Sequence, residues 1–188
     1  MTRKLRAGVV AALMVLTVGI PSVHAGAPVD GTTLTPPVSP GTPCSADGRW
    51  VRCDTSNVTT FVNSPIFELP CGMFYETATD DRHATRWYED GLLHHRSVQA
   101  SYRGTWSLSP TGAGPTVTVH GDWNWWIRFP TPGDESTQLL TSHGNSLLVL
   151  GLQPQLRDTG MWLPDGTHRG QFTFDDAGFE ALCEALTP

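Results

Sequence analysis

Lysine is almost missing from this chain. The single Lys4 falls within the first six residues, and beyond position 25 there are nine arginines against 18 acids, a formal charge of −9. A surface of that sign argues against nucleic acid or anionic lipid headgroups as partners, since both are held by dense positive charge. Its simplest role is solubility. No Gly-x-Ser-x-Gly elbow, His-Glu-x-x-His pair or phosphate-binding glycine loop occurs, so the commonest hydrolase, metalloprotease and nucleotide signatures are lacking. There is no Cys-x-x-Cys pair among the four cysteines, which argues against a zinc site. No cofactor and no metal ligand set is expected. After residue 20 no long apolar run occurs, so no later segment reads as a helical membrane span, which takes about 20 residues.

The one apolar run lies at the start. Arg3, Lys4 and Arg6 precede Ala7 to Ile20, which is apolar or small throughout. Pro21 breaks the run, and Val23-His24-Ala25 offers a cleavage site. These are the three zones of a secretory signal, so residues 1–25 are expected to be removed after Ala25, with Ala27 as the next choice. The mature chain is expected to be secreted. The four cysteines, at 44, 53, 71 and 183, all fall in that exported part, where an even count reads as disulfides. Three pairings are open. Cys44–Cys53 with Cys71–Cys183 is preferred, because it closes one short polar loop and ties the first strand region to a final helix.

Residues 26–43 hold five prolines among Gly and Thr and almost no bulky apolar side chain. Such a composition predicts an extended, mobile linker. Residues 44–66 read as a disulfide-closed N-terminal segment without long periodicity. Residues 67–188 read as a β domain with a C-terminal helix. Within it, runs rich in Val, Thr, Trp, Phe and Tyr alternate with turn signals: Asp90-Gly91, Ser109 to Pro115, Pro130 to Glu135, His143-Gly144-Asn145 and Pro164-Asp165-Gly166. The acid pairs at 80–81, 89–90, 134–135 and 175–176 are assigned to turns or a helix cap. Asp175-Asp176 caps a stripe of Phe179, Leu182, Cys183 and Leu186 at helical spacing. The expectation is a mainly β fold, an antiparallel meander of about eight strands closed as a barrel or sandwich, with one C-terminal helix.

Pro70-Cys71-Gly72, Gly104-Thr105-Trp106, Asp165-Gly166 and the run from Leu182 to Leu186 resemble motifs of exported β-sheet proteins of high-GC Gram-positive bacteria. The resemblance covers residues 68–187. It implies an all-β fold with a Cys71–Cys183 bond and brings no catalytic residue.

Two places could carry function. In Trp123-Asn124-Trp125-Trp126, alternation puts Trp123 and Trp125 with Ile127 and Phe129 on one face, expected to be core. Trp126 then lies opposite, between Asn124 and Arg128. Trp126, Asn124 and Arg128 are therefore the candidate ligand-binding residues, with the exposed indole stacking on a sugar ring or apolar ligand. The six histidines beyond position 25 show no ligand spacing, and His94 and His95 are expected to point to opposite faces. These features predict a secreted non-enzymatic β module that binds an apolar or sugar-like small ligand or another extracellular protein. The alternative is a secreted hydrolase with dispersed acids and histidines, which would need two carboxyls or a His–Asp pair converging in a cleft.

Overall fold

The computed structural model describes residues 26–153 and 155–187. The expected signal peptide and its cleavage point after Ala25 lie outside the described residues. Nine strands follow in chain order: β1 (Ala27–Pro28), β2 (Cys44–Asp47), β3 (Trp50–Leu69), β4 (Gly72–Glu89), β5 (Leu92–Ser107), β6 (Val117–Arg128), β7 (Leu139–Leu150), β8 (Arg157–Trp162) and β9 (His168–Phe172). One helix, α1 (Asp176–Leu186), closes the described fold.

Each strand pairs antiparallel with the next, giving one sheet in the order β1 to β9. Hairpin chemistry dictates this order. Asp90 (φ 51°) and Gly91 (φ 81°) both take positive φ between β4 and β5, as a two-residue type I′ turn requires. The mainly β class and the C-terminal helix agree with the sequence. The barrel does not: β1 and β9 form no pair with each other, so the sheet is open, and of the two expected architectures the sandwich is the one an open sheet allows.

The strands are longer than their turn signals suggest. His143-Gly144-Asn145 is no hairpin: β7 runs through it, and the extra residue is absorbed by a register shift between Asn145 and Leu147. Likewise Asp80-Asp81 is no turn but the middle of an 18-residue β4. Nor is there a boundary at 66/67, because β3 spans 20 residues across it. At about 3.3 Å per residue such a strand reaches roughly 66 Å. One sheet can therefore carry two separate cores.

Both cores lie on the same face, here the inner face, at opposite ends of the long strands. At one end Phe74, Trp106, Val117, Val119 and Val149 pack under Leu182 and Leu186 of α1. The Asp175 side chain accepts from the Gly178 amide at 3.0 Å and caps this helix. Cys183 bonds Cys71, with their Cα atoms 5.7 Å apart. At the other end Cys53, Tyr88, Leu93, Ile127 and Phe129 form the second core.

That second core corrects the expectation of a mobile linker at residues 26–43. Leu34 and Val38 are both buried in it. The Thr35 amide donates to the Gly91 carbonyl at 2.8 Å, and the Leu93 amide donates back to Thr35 at the same distance. The Tyr88 hydroxyl donates to the Pro36 carbonyl at 3.0 Å. The Cys44–Cys53 bond joins directly paired residues of β2 and β3 and ties down the end of this strap. Prolines in an extended strap have little backbone freedom left to lose. Two well-buried apolar side chains plus main-chain bonds then suffice, where a count of apolar residues predicts none.

Candidate functional site

The outer face is built from the opposite parity of the same strands. Strand register lines up three rows across it. Arg52, Trp87, His95, Arg128 and Leu139 form one. Asp54, Thr85, Ser97, Trp126 and Thr141 form the next, and Ser56, His83, Gln99, Asn124 and His143 the third. The three candidates read from the sequence therefore share this face, one in each row. Trp126 is 42% exposed. On the inner face, Ile127 and Phe129 are buried as expected. Trp123 and Trp125 share their side but are only half-buried.

Trp126 does not stand alone. Its ring centroid lies 5.0 Å from His95 and 5.6 Å from Trp87, and Trp87 stacks on His95 at 4.6 Å. Trp50, from the start of β3, reaches both His94 and His95, at 5.5 and 5.7 Å. The expectation that these histidines face opposite ways is corrected. A register shift between Trp87 and Tyr88 makes His94 the extra residue of β5, and a bulge abolishes strict alternation. Trp50, His94, His95, Trp126 and Arg128 together line a shallow cavity of about 370 Å³. Burial and the neighbouring His94 hold the His95 imidazole below its usual pKa, so the ring is neutral at pH 7 and stacks without charge. Beside the aromatic patch the face is polar. Asp54 accepts from Thr85 at 2.7 Å and from Arg52 at 3.0 Å, and Ser56 bonds His83 at 2.8 Å.

The inner face holds a second arrangement, which the sequence reading missed. Between the two cores the buried parity of β4 carries Glu76, Asp80, Arg82 and Arg86, all on the same side as Phe74 and Tyr88. Glu76 and Asp80 are buried, and Tyr102 and Arg82 respectively attend them. The Tyr102 hydroxyl donates a short bond to Glu76 and accepts from the Trp106 indole at 3.2 Å. Burial, then the Glu76 bond, pushes the Tyr102 phenol well above its ordinary value. Asp80 Oδ2 takes a 2.8 Å bond from Arg82 Nε, while its Oδ1 has no donor among the described residues. One signal was available in the sequence. Four of the five Asp, Glu and Arg residues between Phe74 and Tyr88, at 76, 80, 82 and 86, share the parity of those two aromatics, a pattern that a single uninterrupted strand would have to bury.

No family model, curated protein or solved structure matches this chain.

Proposed function

We propose that this chain is an exported, non-enzymatic binding module whose outer face takes a sugar-like ligand, in keeping with its resemblance to exported β-sheet proteins. Two disulfides suit an oxidising compartment. The observation that carries the reading is the exposed Trp126 ring set among Trp87, His95 and Trp50. Flat indoles cover the apolar faces of pyranose rings, and the adjoining Arg52, Asp54, Asn124 and Arg128 supply hydrogen bonds to hydroxyls. An apolar ligand would use the rings but leave those polar rows idle.

The hydrolase alternative draws support from Glu76 and Asp80, two buried carboxyls beside one cavity. Four residues apart on one strand, their Cα atoms are roughly 13 Å from each other. Glycosidase carboxyls stand about 5–10 Å apart. Tyr102 and Arg82 also each bond one oxygen of these groups, so binding is the better-supported function.

The test is affinity electrophoresis and tryptophan fluorescence with soluble oligosaccharides of glucose, xylose and N-acetylglucosamine. At least one should retard the protein, and Trp126→Ala should abolish the retardation while changing stability by about 1 kcal/mol. Retardation that survives Trp126→Ala, or none with any of the three sugars, overturns the assignment.

A further inference from the structure

Three of the nine arginines beyond position 25 converge on the inner face. Arg82, Arg86 and Arg96 line one cavity of about 450 Å³ with Trp125 and Val98. Arg86 on β4 and Arg96 on β5 are directly paired across the strands. Like charges in that position repel and destabilise a sheet. The partners present do not explain the arrangement. Arg82 is held by Asp80 and lies 5.4 Å over the Trp125 ring. Among the described residues Arg96 has only a distant contact to a carboxylate, Glu135 at 3.7 Å, and its buried Nε has no hydrogen-bond acceptor. Arg86 has no carboxylate partner among the described residues. Among the described residues no acid lines the cavity itself.

We propose that this cavity binds a small organic anion, its oxyanion group bridging Arg86 and Arg96 and its apolar body lying against Trp125 and Val98. A planar guanidinium fork matches a carboxylate or phosphate with two parallel bonds. One oxyanion between the two forks would cancel the cross-strand repulsion and satisfy Arg96 Nε together. The volume falls in the range of small-molecule sites, about 300–1,000 Å³, and exceeds what a bare inorganic ion fills. Arg82, already neutralised by Asp80, acts as a wall ordered against Trp125. In a protein of net negative charge, an anion is drawn to this point only by such a local excess of positive charge. The site is on the opposite face of the sheet from Trp126, so it stands or falls separately from the sugar-binding assignment.

Titration calorimetry with benzoate, phenyl phosphate and the neutral benzyl alcohol tests it. At least one of the two anions should saturate at millimolar concentration, and benzyl alcohol should not. Arg86→Gln and Arg96→Gln should each weaken anion binding at least tenfold. Arg169→Gln, an exposed control on β9, should leave it unchanged. Tighter phenyl phosphate points to a phosphate-bearing ligand, tighter benzoate to a carboxylate. Arg86→Gln removes a repulsion and should fold at least as well as the parent, so it carries the test even where Arg96→Gln is unstable. Equal binding of benzyl alcohol, no binding of either anion, or anion binding unaffected by Arg86→Gln overturns the proposal.

Discussion

Leu34→Ala tests whether the proline-rich strap is part of the fold. As a linker residue Leu34 would be replaceable at no cost, since surface substitutions stay within about 0.5 kcal/mol. In the structure Leu34 keeps only 6% of its exposure and packs in the core of Tyr88, Leu93 and Ile127. Nearly the whole side chain has left water, which is worth about 1.5–3 kcal/mol for a leucine. The cavity left by truncation adds to this, so Leu34→Ala should cost about 2–4 kcal/mol. A strap can also detach by itself. If it does, the loss saturates at its docking free energy, and the Leu34→Ala, Val38→Ala double variant costs less than the sum of the single ones. Urea denaturation followed by tryptophan fluorescence measures the total, because Trp125 packs against the same core. Hydrogen exchange at the Thr35 amide, bonded to Gly91 at 2.8 Å, reports the strap alone. A cost below about 0.5 kcal/mol together with an unprotected Thr35 amide would refute the packing described for residues 26–43.

Other outcomes follow from single residues. Tyr102→Phe strips buried Glu76 of its donor and Trp106 of its acceptor; chemical denaturation should show a loss of about 1.5–3 kcal/mol. The folded phenol titrates above its unfolded value, so its share of stability is complete below about pH 10 and declines as pH rises further. In Tyr102→Phe that part of the alkaline decline should be missing from a pH series of melts. His95 shifts the other way: its contribution is present above about pH 6.5 and is lost as pH falls through its lower folded value. His95→Gln should flatten that acid limb, and an unchanged limb would show that another group governs it. Cys183→Ala opens the 112-residue loop between α1 and the start of β4 and should cost about 2–5 kcal/mol in thermal or urea melts.

Local chemistry determined much of this protein from the sequence alone. Asp90-Gly91 forces positive φ twice and therefore a hairpin. Asp175 with a stripe ending at Leu186 makes a capped helix, and the cysteine spacing favoured the pairing observed. Alternation along residues 123–129 separated Trp126 from Ile127 and Phe129, because side-chain parity in a regular strand depends on nothing remote. Tertiary structure decided the rest. His94 and His95 share a cavity only because a bulge opposite Trp87 breaks that parity. His143-Gly144-Asn145 remains strand because β6 and β8 hold both its edges. Leu34 and Val38 are core because the Cys44–Cys53 bond and the Thr35 main chain bring them to Tyr88, whose hydroxyl bonds Pro36 between them across 52 residues of chain. The inner-face arginines meet for the same reason: Arg86 and Arg96 are ordinary charges until the β4–β5 register sets them opposite each other. Cross-strand register is a property of paired chains, and no single strand contains it.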